Sequence, residues 1–594
     1  MNIADHKVRN IIESYFEQEL HPQLLEQLET WVLHGGDWLF RQGDAGDSLY
    51  FLVRGRLQVW IEAEDAGGQP RLLGEVVPGE SVGEVGLISG GARSASIQAI
   101  RDSLLIRIDR RSFESLAERH PALVIKLAGN VAKMLQRHTT ATAQGTSPLK
   151  TIVLLPLSND TKISQFCDEF AQQLAAQSSV MQVSPDTLST HGAPVAQLKD
   201  GEDIPDRLKN WLSDLEDQYE FVLYRCPAGD SPWSRFAVRQ SDIVLMVADA
   251  DGNPDDVAWE PQVLSVRGTT VGRRALFLLH RDRFAIHNTG RWLEGRSLSY
   301  HLHIQSGLAS DVQRAVRVIS GNAIGLVMGG GAARGLAALG VYKALVEAGI
   351  EIDWVGGTSI GSIMAAVVAA GQSPDLAIRN SRQAFKVGKP FGDFTIPVMS
   401  LLRGKRMKRL LKVHLDYQIE DLPLPYYCIS TNLGRGTKNI HEQGSLVDAI
   451  RASAAMPGIF PPVVVEQEMA VDGAILDNLP VDIMQQKPVG RIIAVDFSAR
   501  IPAKVDYAET PSPWAVLCGQ WLPFTPRYRV PRLTSIMLKS TETGTLEEVR
   551  RHGRMADLLI DPDIKRFGMT DVKSFDQIVQ AGYLRACELL ENWQ

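Results

Sequence analysis

Apolar positions fall into three regimes along the chain. Up to about residue 145, a helical pattern from Val8 to Leu33 gives way to short strand-like runs punctuated by glycine: DWLFRQGD, SLYFLVRGRLQVWIE, RLLGEVVPGE and SASIQAIRDSLLIRID. Strands this short, with frequent turn signals, predict a small β-barrel or β-roll. Helical patterns follow at Arg110–Arg119 and Pro121–His138, and ATAQGTSP reads as a linker ending in Pro148. Between about 149 and 320, apolar runs (TIVLLPLS, FVLYRC, DIVLMVAD, ALFLLH) alternate with helix-like segments such as Lys162–Gln177 and Asp203–Tyr219. That is the βα alternation of an open α/β sheet. It holds no Gly-rich phosphate loop and no nucleophile signature, so a structural or coupling role is expected there. The third region, about 321–594, opens with the strand AIGLVM and contains the candidate chemistry. Pro511–Pro531, rich in Pro and Trp, predicts a long irregular loop. The expected fold is therefore multidomain: a β-roll with helices (1–145), a middle open α/β sheet (149–320) and a C-terminal α/β domain (321–594).

Composition narrows this picture. A chain of 594 residues exceeds the ~250–300 residues one core usually serves, so two to four domains are expected. A hydrophobic fraction of 44% and a charged fraction of 22% are those of ordinary globular protein. A net charge of −7 argues against nucleic acid as the main partner. The five cysteines are scattered and never spaced as CxxC, which points away from a disulfide framework or zinc site and toward a reducing compartment. The N-terminus lacks the apolar run of a signal peptide. Trp354–Pro374 carries no charge, but four glycines break it and its longest apolar run, Ile363–Ala370, is far below the ~20 residues of a membrane span. It reads as strand, turn and buried helix. A cytosolic location is expected, with peripheral contact to a membrane left open.

Three segments carry the chemistry. Gly329-Gly330-Gly331-Ala332-Ala333-Arg334-Gly335 lies between a strand and the helical pattern LAALGVYKALVEAG. Backbone N–H groups of such a turn can hold an anion, and an oxyanion held this way gains ~3–4 kcal/mol per donor. Candidate donors are Gly330, Gly331, Ala332 and Arg334. Dinucleotide sites also use glycine turns, and Asp353 lies about 20 positions on, but the GxGxxG register is poor. Gly357-Thr358-Ser359-Ile360-Gly361, between the strand Ile352–Gly356 and the helix SIMAAVVAAG, has the context of a nucleophile elbow. Gly357 and Gly361 let the chain turn sharply, and the Ser359 hydroxyl meets the positive end of a helix dipole. An isolated serine is a poor nucleophile and needs a base. Asp472, in Ala470-Val471-Asp472-Gly473-Ala474, is the candidate, although an Asp-Gly turn between strands is common without any function.

Together these blocks resemble the patatin-like phospholipase family: its oxyanion loop at Gly329–Gly335, its nucleophile at Ser359 and its Asp-Gly base motif at Asp472-Gly473. The resemblance implies a Ser–Asp dyad working without histidine or metal. SLLRGKRMKRLL, YYCISTNLGRG and AIRASAAMPGIFPPV are similar to blocks of the bacterial relatives of neuropathy target esterase. Ala332 departs from the glycine common in the family loop, and carries a steric penalty if the position needs positive φ. A triad of Ser359, Asp472 and His552, in the chain order of α/β-hydrolases, is the rival. His552 sits in the charged stretch EEVRRHGRMADLL, where a solvated histidine is expected, and Met328 replaces the leading histidine of lipase loops. Both points favour the dyad.

Residues 83–94, GEVGLISGGARS, look like the phosphate-binding cassette of cyclic nucleotide-binding domains. Arg93 would supply a charged fork for a cyclic phosphate. Glu84 would accept from a ribose hydroxyl, and N–H groups near Gly83 and Ser94 would complete an anion nest. The competing view is a structural Glu84–Arg93 ion pair in an inherited fold that binds no nucleotide. The relatives join this module to the hydrolase domain in the same order, with a similar middle region (SDIVLMVAD, LHRDRFAIHNTGRWLEGR).

Arg403, Lys405, Arg406, Lys408, Arg409 and Lys412 lie in a stretch without acidic residues from Met399 to Leu415, with Met407, Leu410, Leu411 and Leu415 at helical spacing. A basic amphipathic helix can lie on an anionic membrane. A solvated helix whose apolar face packs on the domain is the preferred expectation. The sequence thus predicts a hydrolase of phospholipid or lysophospholipid esters regulated by a cyclic nucleotide. The alternative is a nucleotide receptor or lipid-binding scaffold with a weak site. A transcription regulator is disfavoured, because strands and a linker rather than a helix-turn-helix follow Arg137.

Overall fold

The computed structural model describes residues 29–62, 71–119, 149–190, 206–266, 269–270, 273–498, 509–516, 543–569 and 571–593, with a few isolated residues between them. The patterns at Val8–Leu28 and Pro121–His138, the linker before Pro148 and most of Pro511–Pro531 lie outside these residues. The chain divides into two compact units, Met1–Gly321 and Asn322–Gln594.

The first unit holds two sheets. Six strands form an antiparallel roll, built on the long pair Ser48–Ile61 and Ser96–Asp109. Glu29–Leu33 pairs antiparallel with Ser103–Arg107, so the helical pattern expected to run on to Leu33 ends as a strand. Thr30, Trp31 and Val32 are β-branched or aromatic and suit the sheet edge better than a helix end. The second sheet is wholly parallel, ordered Tyr300–Gln305, Arg273–His280, Ile243–Asp249, Thr151–Pro156, Phe221–Arg225, Val180–Val183. Its central strands are buried on both faces, which is why they read as unbroken apolar runs. The two edge strands, with polar residues between apolar ones, gave no such signal.

A buried ion cluster joins roll and parallel sheet within this unit. Asp242, fully buried, accepts N–H bonds from Lys150 (2.8 Å) and Thr151 (3.2 Å) and pairs with Arg101 (2.9 Å) and Arg56 (3.2 Å) of the roll. Arg101 also pairs with Glu216 (2.8 Å), while Glu75 bridges Arg56 and Arg273. Burial opposes ionisation of Asp242, but the two guanidinium groups and two N–H donors outweigh it and hold its pKa below the ordinary value.

The second unit is an eight-stranded mixed sheet, ordered Val463–Val465, Glu468–Asp472, Tyr426–Asn432, Trp354–Thr358, Ile324–Met328, Arg491–Val495, Leu558–Ile560, with Thr437–His441 also paired to Tyr426–Asn432. The five strands from Tyr426–Asn432 to Leu558–Ile560 run parallel. Ile324–Met328 comes first in the chain and lies centrally, so the strand order reverses beside it. Such a switch point opens a crevice at the carboxyl ends of the strands. The helix Ile360–Ala369 is buried on every side, as expected of a helix apolar all round. Among the described residues no helix is long and apolar enough to cross a membrane. The helices Ala337–Glu347 and Phe575–Leu590 pack backbone to backbone: a Cβ on Gly340 would meet the Val579 carbonyl at 1.9 Å, and one on Gly582 the Ala337 carbonyl at 2.0 Å. Where Pro511–Pro531 is described it carries a helical turn, with the Val516 N–H donating to the Ser512 carbonyl (3.1 Å).

Candidate active site

The strand Trp354–Thr358 passes into the helix Ile360–Ala369 through one residue, Ser359. Its φ of 55° and ψ of −122° lie outside the regions an L-residue prefers, a strain of ~1–3 kcal/mol that persists only where the surroundings impose it. They do so through close approach. A Cβ on Gly361 would stand 2.1 Å from the Met328 carbonyl oxygen, and one on Gly357 2.7 Å from the same atom and from the Gly361 carbonyl. Both glycines are therefore required sterically. The Ser359 N–H donates to Ser453 Oγ (3.0 Å), and Ser362 Oγ donates to the Ser359 carbonyl (2.5 Å).

Asp472 ends the strand Glu468–Asp472, which forms a hairpin with Val463–Val465 through Glu466 and Gln467, both at positive φ. Asp472 lies opposite Ser430 on the neighbouring strand. The structure brings it to Ser359, whose Oγ donates to Asp472 Oδ2 at 2.7 Å. Oδ1 accepts the Ala474 N–H (2.9 Å), which the turn at Gly473 makes available. Both side chains are buried, Asp472 at 1% exposure and Ser359 at 6%. Burial pushes the Asp472 carboxyl up to about 6, against the pull of the Ala474 N–H and the Ser359 hydroxyl. This carboxylate can accept a proton from the serine near neutral pH.

The glycine loop runs beside this pair: a Cβ on Gly330 would lie 3.4 Å from Ser359 Cβ. Two of the four candidate oxyanion donors are already engaged. The Gly330 N–H donates to both the carbonyl and Oδ1 of Asn478 (3.1 Å each), and the Arg334 N–H to the Gly331 carbonyl (3.2 Å). The Arg334 side chain is buried and its Nε donates to the Phe567 carbonyl (3.0 Å), tying the loop to the domain. The N–H groups of Gly331 and Ala332 have no acceptor among the described residues. Ala332 has φ of 50°, so the position does require the left-handed region that disfavours alanine.

In the roll, the short helix Glu84–Ser89 starts from Gly83 (φ 90°). Arg93 is buried, donates to the carbonyls of Ser48 (2.7 Å) and Gly83 (3.1 Å), and stacks over Phe40 at 4.1 Å. Its carboxylate partner is Asp47 at 3.7 Å, and among the described residues it forms no ion pair with Glu84, the pair that the competing view required. Glu84 is buried with Oε2 lacking a partner among the described residues. Ser94 is exposed.

Comparison with known proteins gives three matches. Residues 31–120 match the cyclic nucleotide-binding domain, 148–323 the Neuropathy Target Esterase family P-loop like domain, and 326–484 the patatin-like phospholipase family. The last range contains the glycine loop, Ser359 and Asp472. The C-terminal unit carries a patatin-like phospholipase domain. Similar proteins include lysophospholipase nte1 of Aspergillus fumigatus (29% identity, 96% of this chain, 42% of that protein) and its namesake of Lodderomyces elongisporus (29%, 96%, 45%). The chain spans less than half the length of these relatives. Solved structures similar to part of the chain include a cyclic nucleotide-binding domain from Methylobacillus flagellatus (19% identity, 22% of this chain, 79% of that one, TM-score 0.20).

The second unit also corrects one expectation and adds residues that the sequence did not single out. His552, expected to be solvated, is 1% exposed, with Nδ1 2.8 Å from the Leu479 carbonyl and 3.2 Å from Asp477 Oδ1. Its helix places Val549, His552 and Gly553 on the buried face, and the charged residues around it point outward. Ser359 and His552 thus use different carboxylates, Asp472 and Asp477. Lys438 Nζ bridges Asp477 (2.6 Å) and Asp482 (2.9 Å). Asp477, Asp482 and His552 are the described residues that could together ligate a metal, but the Lys438 ammonium already supplies a cation there. Burial works against the Asp477 charge, yet His552 and Lys438 hold its pKa down at about 2. The Asp477 carbonyl accepts from Thr358 Oγ1 (3.1 Å) and the next residue is Asn478, so this cluster anchors both elbow and glycine loop.

Proposed function

We propose that the chain is a serine hydrolase that cleaves carboxylic ester bonds of phospholipids or lysophospholipids. The observation that carries this is the 2.7 Å hydrogen bond from Ser359 Oγ to the buried Asp472 carboxylate, inside a patatin-like domain. Similarity to proteins named lysophospholipases supports the substrate class. Ser359 Oγ attacks the ester carbonyl while Asp472 takes its proton. The oxyanion of the tetrahedral intermediate accepts from the N–H groups of Gly331 and Ala332, at ~3–4 kcal/mol per donor. Collapse expels the alcohol, which leaves with the proton from Asp472, and an acyl-Ser359 ester remains. Water then attacks with Asp472 again as base, and the fatty acid departs. A carboxyl pushed up to about 6 suits both the basic and the acidic step. The test is fatty-acid release from lysophospholipids, phospholipids and triacylglycerols by wild type and Ser359→Ala. Release by wild type alone supports the reading. Equal release by both refutes it and leaves a lipid-binding scaffold.

The unpartnered Glu84 Oε2 favours a second element, regulation by a cyclic nucleotide bound at Gly83, Glu84, Arg93 and Ser94. A buried carboxylate oxygen without a donor fits a ribose hydroxyl. A cyclic phosphate would take Arg93 from the Ser48 and Gly83 carbonyls. Calorimetric titration with cyclic AMP and cyclic GMP should give heat that Glu84→Ala abolishes. No heat with either nucleotide refutes this element.

A further inference from the structure

Exposed apolar side chains are ordinary singly and informative in groups. Phe394 (72% exposed), Ile396 (81%), Val398 (86%) and Met399 (64%) fall within six residues of the second unit. Ile396, Val398 and Met399 occupy the tip of a loop whose base, at Phe394, is fixed. Phe394 bridges Leu402, the Thr395 N–H donates to the Leu401 carbonyl (3.0 Å), and Ser400 bridges Gly458. The Leu402 N–H donates to the Ile459 carbonyl (2.9 Å), and Leu402 itself is buried. The fold therefore holds an apolar tip out into solvent on an ordered stem.

The basic helix Lys405–His414 follows directly. Its apolar face is spent on the domain, with Met407 and Leu411 buried. Its outer face shows Lys405, Arg406, Arg409 and Lys412, with Arg403 just before it and Val413 at 70% exposure among them. Lys408 pairs with Asp448 (3.5 Å), whereas the five exposed cations form no ion pair among the described residues. The adjacent Asp393 is committed to the Arg406 N–H (3.0 Å).

We propose that this surface docks the protein on an anionic lipid bilayer: the loop tip enters the acyl boundary, and the five cations meet the headgroups. Charge complementarity selects this occupant. Lys and Arg without ion pairs among the described residues, on the helix that directly follows an exposed apolar loop tip, match a headgroup layer over hydrocarbon. The docking needs neither Ser359 nor Asp472, so it stands apart from the hydrolase reading.

The test is flotation of the full chain carrying Ser359→Ala with phosphatidylcholine vesicles, with and without phosphatidylserine. Binding should require phosphatidylserine and fall with added salt. The triple change Lys405→Gln, Arg409→Gln, Lys412→Gln should weaken it by roughly 100-fold, at about fivefold per cation. Ile396→Asp with Val398→Asp should weaken it at least ~10-fold. All five side chains are exposed, so thermal melting should be unchanged. Absence of wild-type flotation, or flotation indifferent to both sets of substitutions, overturns the proposal. So does a tip variant that loses self-association in sedimentation yet floats as before, since the tip would then be a contact between copies.

Discussion

Replacing Asp472 with asparagine separates the carboxylate's contribution to chemistry from its effect on folding. Burial lifts its pKa from 3.8 to about 6. At 1.36 kcal/mol per unit, the ionised form costs the folded state about 3 kcal/mol. For a group whose folded pKa is raised, the favourable contribution is whole below the unfolded value of 3.8. It is lost as pH rises through about 6. Asparagine never ionises, but it keeps one acceptor oxygen for the two hydrogen bonds from Ser359 and Ala474, which costs about 1 kcal/mol. Asp472→Asn should thus be more stable than wild type by about 2 kcal/mol at pH 8, and no more stable near pH 4. Activity should move the opposite way. Wild-type kcat/KM on a soluble short-chain ester should fall as pH drops through about 6, where the base becomes protonated, and the variant should lose ~10²–10⁴-fold. Urea denaturation at both pH values and initial rates between pH 5 and 8 measure the two effects. A variant less stable than wild type at pH 8, or a flat wild-type profile, refutes the reasoning.

Ala332→Gly relieves a φ of 50° and should raise stability by ~1 kcal/mol in chemical denaturation with kcat unchanged or higher; a lower kcat would show that the alanine methyl is needed. His552→Ala removes one of the two side chains that stabilise the buried Asp477 carboxylate and should lower stability by ~2–3 kcal/mol. It should keep kcat within tenfold below its melting point, and a loss matching Asp472→Asn would restore the triad. Gly361→Ala drives a methyl to 2.1 Å from the Met328 carbonyl and should abolish activity or folding, whereas Gly349→Ala, with no atom near its Cβ position, should cost only ~1 kcal/mol for its positive φ. Circular dichroism and ester hydrolysis on the pair separate close approach from backbone strain.

Much of the architecture was legible because burial on both faces writes itself as unbroken apolar runs, as in Thr151–Pro156 and Ile243–Asp249. The elbow was legible because contact distances of 2–3 Å leave glycine as the residue that fits on either side of Ser359. Polar support was not. Asn478 and Asp477 act on Gly330 and Thr358 across more than a hundred residues, and sequence spacing carries no trace of such contacts. Their one local signal is a polar pair set in the apolar run AILDNLPV. His552 misled because the charges around it dominate its stretch, while the spacing to Val549 that turns it inward is a single helical step. Glu29–Leu33 misled because five residues at the end of a helical pattern cannot show which partner strand will claim them.

The cluster around Asp242 bears on evolution as well as on folding. A module can be cut from one chain and grafted on another only if its surface is complete without its neighbour. A roll severed before Lys150 would expose Arg56 and Arg101 as guanidinium groups shaped for Asp242 and Glu216 and now lacking them. The parallel sheet left behind would keep a buried carboxylate without its counter-ions. Each half is therefore a poor donor in domain shuffling, and the two are expected to be inherited and to melt as a single cooperative block.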